Sequence, residues 1–582
     1  MRTKKKFSTK AFLDFYTRFP IPWWLFLLTI VLGLVNTEVV LAIADYTIRF
    51  NKGELYNSVI IGYSLLTVLN ALISMLINVL NSYGTLKITL RARGTLWRKI
   101  LHLPLREVER RQPSALISGV VNDVTEASNV IQVLFAMVTS VYGFFRCCME
   151  MARFNARLSA YVLLLLPLAF GVFALTGRLQ YLMMLRRYES LNTMTEFFSE
   201  HISATKYMKA QAMEEQEMAD GLRAIDARYK ADIFYAFILT AQTFANSLYT
   251  TIGSIVIAIF GSGMIRKGEM PETGINDFST YKTRVDQYMA EGLTYYQTFR
   301  GTQGALQYVG VLLNGPEEVP DSGLDLPPCG GQKDLVLERV SFGYSPDMPI
   351  LHDLSLRIPG GKMTAIIGNN GSGKSTLLKL LQGIYPPDSG RILLGDTAIE
   401  QVKLRDLRRQ FGYILQHNPL LSGTVAENIA YGVEGEVSRD GVVQAAKVAD
   451  ADDFIRTLPQ GYDSQVGDNG SQLSGGQRQR VAIARTVMAQ PDYLLMDEAG
   501  ASLDHSSDVR INSNIRRYMK GRTVIVVAHD MNTVREADYI VVLNHGALEA
   551  AGTHEQLLQS SPTYREYLEK QGQAVAREEG AV

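Results

Sequence analysis

An all-α membrane-spanning half followed by an α/β domain with a phosphate-binding loop is the fold class this chain predicts, and three observations predict it. Apolar residues concentrate before about residue 315, in runs that approach the ~20 residues needed to cross hydrocarbon as helix. Beyond that point the pattern alternates strand and helix. Within this second half, the apolar run Met363 to Ile367 leads into Gly368-Asn369-Asn370-Gly371-Ser372-Gly373-Lys374-Ser375-Thr376 and then Leu377-Leu378-Lys379-Leu380. That order reads strand, glycine-rich loop, helix.

Hydropathy marks five spans, at about residues 21–44, 58–80, 130–151, 158–179 and 233–265. Basic residues set their orientation. Arg2, Lys4, Lys5 and Lys6, the stretch from Lys87 to Arg111 and the region from Arg178 to Lys230 fall on one face, which the positive-inside rule makes cytoplasmic. Met1 to Lys6 lacks the adjoining apolar stretch and small-residue cleavage site of a secretory signal, and residues 7–19 read as an amphipathic helix on the membrane surface. Cys147, Cys148 and Cys329 give neither a disulfide framework nor a metal site. A formal net charge of zero gives no sign of nucleic-acid binding.

In the second half, the spacing G-x-x-x-x-G-K-S suits phosphate: glycines let backbone N–H groups close around the oxygens, and the following helix adds its positive end. Lys374 would reach the β- and γ-phosphates and Ser375 would ligate Mg²⁺. Downstream, Asp492-Tyr493-Leu494-Leu495-Met496-Asp497-Glu498 is a short apolar strand ending in two carboxylates. Asp497 suits the metal and Glu498 the attacking water. Between them, Leu473-Ser474-Gly475-Gly476-Gln477 opens a helix, a second place for an anion.

On these residues the chain resembles the ATP-binding cassette (ABC) transporter family. The loop Gly368–Thr376 is similar to its Walker A, Leu473–Gln477 to its signature and Tyr493–Glu498 to its Walker B. Further elements match in order: Tyr344 where an aromatic ring stacks on adenine, Gln416 at the Q-loop, Asp504 at the D-loop and His529 at the switch histidine. Three positions depart from the common pattern. Gly500 replaces a hydroxyl residue, Asp530 follows the histidine, and Asp468 replaces a glutamate before the signature.

The resemblance implies an all-α six-helix transmembrane domain with long intracellular helical extensions, followed by an α/β P-loop ATPase domain of the ABC type. It implies boundaries at 1–313 for the membrane domain, with an elbow helix at about 7–19, 314–334 for the linker, 335–570 for the nucleotide domain and 571–582 for a tail. The sixth helix, at about 281–313, rests on this likeness, since Lys282, Arg284, Asp286, Glu291 and Arg300 would defeat a hydropathy reading. Charges at membrane depth should face protein or a watery cavity. Glu38, Arg146, Lys282, Asp286 and Glu291 are therefore candidate cavity residues, with helix-packing salt bridges as the competing reading. Pro113–Gly119 and Ser203–Ala210 occupy the places where the family rests short coupling helices on its nucleotide domains.

The resemblance further implies ATP and Mg²⁺ as cofactors, with Ser375, Gln416 and Asp497 holding the metal. Asn369, Asn370, Gly371, Ser372, Gly373, Lys374, Ser375 and Thr376 would bind ATP beside Tyr344. Glu498 and His529, with Gln416, would drive hydrolysis, and Ser474 and Gly476 would contact ATP held by a second copy. The expected protein is an exporter of a peptide, lipid or amphipathic solute in a bacterial inner membrane, its nucleotide domain cytoplasmic. A homodimer is expected, with a heterodimer as the alternative. An importer on the same fold and a nucleotide-gated channel or regulatory subunit are the alternative functions.

Overall fold

The computed structural model describes residues 21–54, 56–111, 113–302, 309–318, 322–345, 347–415, 419–497, 505–528 and 531–569. The chain divides into two units: Met1–Leu101 with Gln112–Gly315, and His102–Arg111 with Pro316–Val582. The expected surface helix at 7–19 and the tail at 571–582 lie outside the described residues.

The first unit is helical. Its membrane helices are Trp23–Asn51, Asn57–Leu101, Val124–Phe154, a fourth in two segments at Ala156–Leu163 and Leu166–Ser203, Glu214–Arg266 and Gly274–Gly301. The first five are long and apolar enough to cross a membrane. The sixth starts at Gly274, seven residues before the sequence reading placed it, because Glu269 to Thr273 supplies the turn. The fourth breaks before Leu166, where Pro167 can only sit in a first turn. At 45 and 53 residues, the second and fifth helices measure about 67 and 80 Å at 1.5 Å per residue. Both far exceed a ~30 Å hydrocarbon core, so their ends stand in water. There Asp232, on the fifth helix, pairs with Arg187 of the fourth at 2.7 Å and with Arg228 at 2.8 Å.

Small residues let these helices approach. A Cβ on Gly143 of the third helix would sit 2.5 Å from the Tyr288 ring of the sixth, and one on Gly33 would sit 2.6 Å from Thr139 Cγ2. Leu41, Ala44, Cys147, Met151, Ile257, Phe278 and Val285 form a shared core. Polar ties close the same bundle: the Tyr281 hydroxyl donates to Asp45 at 2.6 Å and Asn51 to Asp277 at 3.3 Å.

Four of the five candidate cavity charges are packing ion pairs. Lys282 Nζ lies 2.5 Å from Asp286 Oδ2, donates to the Thr250 carbonyl at 3.0 Å and sits over the Tyr249 ring. It thereby ties the sixth helix to the fifth, and a Cβ at Gly253 would lie 2.8 Å from Lys282 Cε. Glu38 accepts from Tyr142 at 2.7 Å and from Arg146 at 3.0 Å, while Arg146 also pairs with Glu150, joining the first helix to the third. Only Glu291 lines the cavity described below. The physical reason is desolvation, since a charge in a low dielectric is stabilised by the nearest opposite charge.

The second unit is built on a six-stranded sheet in the order β10-β9-β3-β8-β7-β6, comprising β3 (Met363–Gly368), β6 (Phe411–Ile414), β7 (Tyr493–Asp497), β8 (Thr523–Val527), β9 (Tyr539–Asn544) and β10 (Ala547–Gly552). All neighbours run parallel except β9 and β10. Both faces of this sheet are covered, which is why β7 and β8 are buried at every position and read as unbroken apolar runs. A four-stranded antiparallel sheet, β2-β1-β4-β5, lies in the same unit, comprising β1 (Leu335–Ser345), β2 (Met348–Ile358), β4 (Ser389–Leu394) and β5 (Thr397–Ala398). Helices at Val425–Ala430, Arg439–Val448, Asp452–Thr457 and Gly475–Met488 share one core with its parallel strands.

Replacing Lys282 by methionine leaves Asp286 buried without its cation, and a loss of about 3–5 kcal/mol is expected. Heat or denaturant unfolding of the detergent-purified protein checks this. A second substitution, Asp286→Leu, should recover part of the loss.

Candidate functional site

The site is assembled where β3 and β7 end, separated in the sheet by β8. Gly368 closes β3 at φ 150°, and a Cβ there would lie 2.2 Å from the Leu543 carbonyl oxygen, so only glycine lets the chain turn against β9. Gly373, at φ 95°, is the residue before the helix Lys374–Leu381, and a Cβ would lie 2.6 Å from Leu351 Cδ2. Between them Asn369, Asn370 and Gly371 are exposed while Ser372 is buried. The helix start points its amides and positive dipole end at the loop.

Lys374 is buried and bends back over this loop, donating to the Gly368 carbonyl at 2.8 Å and the Asn369 carbonyl at 3.1 Å. Its ammonium is thus held at the loop mouth. The Ser372 hydroxyl is buried with no hydrogen-bond partner among the described residues, an orphan that a phosphate oxygen would satisfy. Ser375 donates to Asp497 Oδ1 at 3.1 Å, and Tyr413 at the end of β6 donates to Asp497 Oδ2 at 3.3 Å. Burial first, then the Asp497 carboxylate, pushes the Tyr413 phenol well above its ordinary value. A hydroxyl and a carboxylate converging from two elements are hard oxygen donors of the kind Mg²⁺ takes. The residues present therefore fit a nucleotide phosphate with its metal.

Tyr344, on β1, presents a half-buried ring to the same region. Its hydroxyl meets Thr376 Oγ1 at 3.3 Å, and Lys379 Nζ lies 5.4 Å from its ring centroid. The sequence reading missed what fixes its backbone. The helix Leu105–Glu109 belongs to this unit, and Arg106 donates to the Gly343 carbonyl at 2.5 Å and the Tyr344 carbonyl at 3.4 Å. Arg106 also pairs with Asp388 at 3.6 Å, and Tyr385 donates to Glu109. Expectation set the first nucleotide-facing helix at Pro113–Gly119, but the structure gives that place to Leu105–Glu109. The reason is chemical: Pro113–Ser118 carries no charged group, whereas Leu-Arg-Glu-Val-Glu supplies an arginine for carbonyls, a glutamate for a phenol and Leu105 for the core beneath β1 and β2.

Leu473–Gln477 forms a reciprocal cap. Leu473 is buried as an anchor, the Ser474 hydroxyl accepts from the Gln477 amide at 3.3 Å, and Gln477 Oε1 accepts from the Ser474 amide at 2.9 Å. Ser474 and Gly475 are left exposed and Gly476 half-exposed at the head of the helix Gly475–Met488. Asp468 accepts from Ser422 at 2.9 Å. Gln416, Glu498, Asp504 and His529 lie outside the described residues, as do Gly500 and Asp530.

The first unit holds a cavity of about 530 Å³ among the first, second, third and sixth membrane helices. The sequence reading missed its asparagines, although Asn70, Ser74, Asn78 and Asn81 recur at helical spacing through an apolar run and so share one helix face.

A helical membrane unit and a phosphate-loop unit in one chain define a class: the protein belongs to the ABC transporter family. The family's ABC transporter model matches residues 351–501, and its transmembrane-region model matches residues 23–283. The chain is an exporter-type half-transporter, an ATP-binding integral membrane protein. It is 30% identical over 82% of its length to a fatty acid ABC transporter ATP-binding/permease protein of Mycobacterium bovis, of which 75% is covered. It is 31% identical over 83% of its length to an ATP-dependent lipid A-core flippase of Chromobacterium violaceum, covering 82% of that protein. A leukotoxin translocation ATP-binding protein of Mannheimia glucosida is 31% identical over 88% of this chain and 72% of its own length. The structure of a bacterial Atm1-family ABC exporter with ATP bound matches with a TM-score of 0.83 and 26% identity, over 94% of this chain and 97% of that one. These likenesses make the protein an ATP-driven exporter and do not favour the importer alternative.

Arg106→Ala removes both carbonyl partners behind Tyr344, and ATP affinity should fall several-fold in a titration with the purified protein. Arg106→Lys, whose ammonium can still donate to a carbonyl, should recover part of it.

Proposed function

We propose that the protein hydrolyses ATP at two composite sites of a homodimer and uses the cycle to move a solute out of the cytoplasm by alternating access. The observation that carries this reading is the meeting of Ser375 and Asp497 at 3.1 Å beside the buried Lys374. Asn369 to Thr376 would wrap the phosphates through backbone amides, with Lys374 swinging from its two carbonyls onto the β- and γ-oxygens. Tyr344 would stack on adenine. Ser375, Asp497 and Gln416 would hold Mg²⁺, which would supply positive charge to offset that of the phosphates. Glu498 would take the proton of the attacking water, with His529 and Gln416 supporting the γ-phosphate end and Asp504 meeting the other copy.

The cap leaves Ser474 and Gly475 exposed and Gly476 half-exposed, where they would reach the γ-phosphate of ATP bound by the second copy. One chain cannot close its own site, and two copies related by a twofold axis close two. ATP then holds the nucleotide domains together and hydrolysis removes contacts that kept them shut. Intact Leu473–Gln477 and Glu498 in one sequence support a homodimer over pairing with a degenerate relative. The membrane is proposed to be a bacterial inner membrane, the nucleotide domains cytoplasmic. The relatives named above move fatty acid, lipid A-core and toxin, so the solute class remains the broad one of peptides, lipids and amphipathic molecules.

Glu498→Gln should keep ATP binding, lose turnover by orders of magnitude and trap a closed dimer. Phosphate release and size-exclusion measurements with ATP check this, and undiminished turnover removes Glu498 from its role. Lys374→Ala should instead weaken nucleotide affinity itself by tenfold or more, about 1.4 kcal/mol. In sealed vesicles, solute should accumulate against its gradient only with hydrolysable ATP. Movement that merely follows the gradient would mark a channel.

A further inference from the structure

Polar side chains inside a membrane are costly and collect where something polar must pass or bind. Here they collect around one cavity. Asn36 comes from the first helix, Asn70, Asn78 and Asn81 from the second, Asn129 from the third and Gln287 from the sixth. Its volume, about 530 Å³, falls in the range of small-molecule sites.

Two features fix what chemistry the cavity asks for. The first is unmet hydrogen bonding. Among the described residues, Asn81 is only 8% exposed and its Oδ1 has no partner; Asn36 Oδ1 is likewise buried and unpartnered, although its amide donates to Ser74 at 3.3 Å. Both orphans are acceptors on residues that line the cavity, and an O–H or N–H donor reaching them would satisfy them. The second is charge. Arg284 and Glu291 both line the cavity, and Gln287 links them, accepting from Arg284 at 3.1 Å and donating to Glu291 at 3.1 Å. The guanidinium and the carboxylate lie along one face of the sixth helix with Gln287 between them, so that face carries no net charge. What remains on offer is a set of neutral carboxamides that both donate and accept.

We propose that this cavity is a solute-binding site for a molecule, or the head of one, rich in neutral hydrogen-bonding groups of the amide or hydroxyl kind. An acyl chain is a poor occupant. It would leave each carboxamide desolvated and unpaired, at a cost that repeats with every group. This deepens the transporter reading and rests on it for the purpose of the site. It narrows the solute class toward amide or sugar-like chemistry and away from the fatty acid moved by one of the relatives.

The test uses the full chain in lipid nanodiscs without nucleotide and three probes: triglycine, maltotriose and octanoate. Saturable binding of triglycine or maltotriose at one site per chain is expected, with octanoate failing to displace it. Preference for triglycine assigns the amide source and preference for maltotriose the hydroxyl source. Asn81→Leu should weaken the bound probe by about three- to tenfold, the effect of one neutral hydrogen bond. Where Asn81→Leu does not fold, Asn78→Leu, at an exposed position of the same stripe, carries the test with the same expected loss. The proposal is overturned if neither polar probe binds, if binding is indifferent to the substitution, or if octanoate alone binds. ATP hydrolysis is measured on the same samples. Its absence alongside intact polar binding would count against the transporter reading and leave the cavity assignment standing.

Discussion

A polar group at membrane depth must find its partner within the protein, and the helical unit is arranged around that constraint. Lys282 could not be tolerated in lipid, yet it is stable on the sixth helix because Asp286, the Thr250 carbonyl and the Tyr249 ring enclose it. Glu38 and Arg146 solve the same problem between the first and third helices. Gly253 follows from it, since a Cβ there would displace Lys282, while the glycines at 33 and 143 make room for the Thr139 methyl and the Tyr288 ring. Once the charges have satisfied one another, the neutral carboxamides are what is left to line open space.

The nucleotide unit obeys the opposite rule, because its function needs groups left unsatisfied. Ser372 keeps a buried hydroxyl without a partner among the described residues, and the signature serine, though its hydroxyl caps the helix, stays exposed at the helix head. Lys374 is parked on two backbone carbonyls, bonds weak enough to be exchanged for a phosphate. The surrounding scaffold supplies the rigidity. Parallel strands buried on both faces fix the ends of β3 and β7, so Ser375 and Asp497 meet without either helix or loop having to search.

One segment of the chain has an allegiance that its place in the sequence does not suggest. The chain leaves the second membrane helix at Leu101 and its next ten residues belong to the nucleotide unit. Through Arg106 they hold the carbonyls of Gly343 and Tyr344, and through Glu109 they hold the Tyr385 hydroxyl. Tyr344 therefore owes its position partly to a residue more than 230 positions earlier, at a separation of 238 for the bond to its own carbonyl.

The sequence by itself determined the elements whose signals are local. Apolar runs long enough to span a bilayer, the glycine spacing of residues 368–376, the helix start at residues 473–477 and the apolar strand that ends at Asp497 each depend on neighbours within a few positions, so their chemistry is legible along the chain. Tertiary structure alone decided what depends on facing surfaces. It paired Lys282 with Asp286 against the fifth helix, put Glu38 on Arg146, brought Tyr413 to Asp497, chose Leu105–Glu109 over Pro113–Ser118 and gathered asparagines from separate helices around one space. The reason is geometric: periodicity tells which residues share a face, but only packing tells what that face meets.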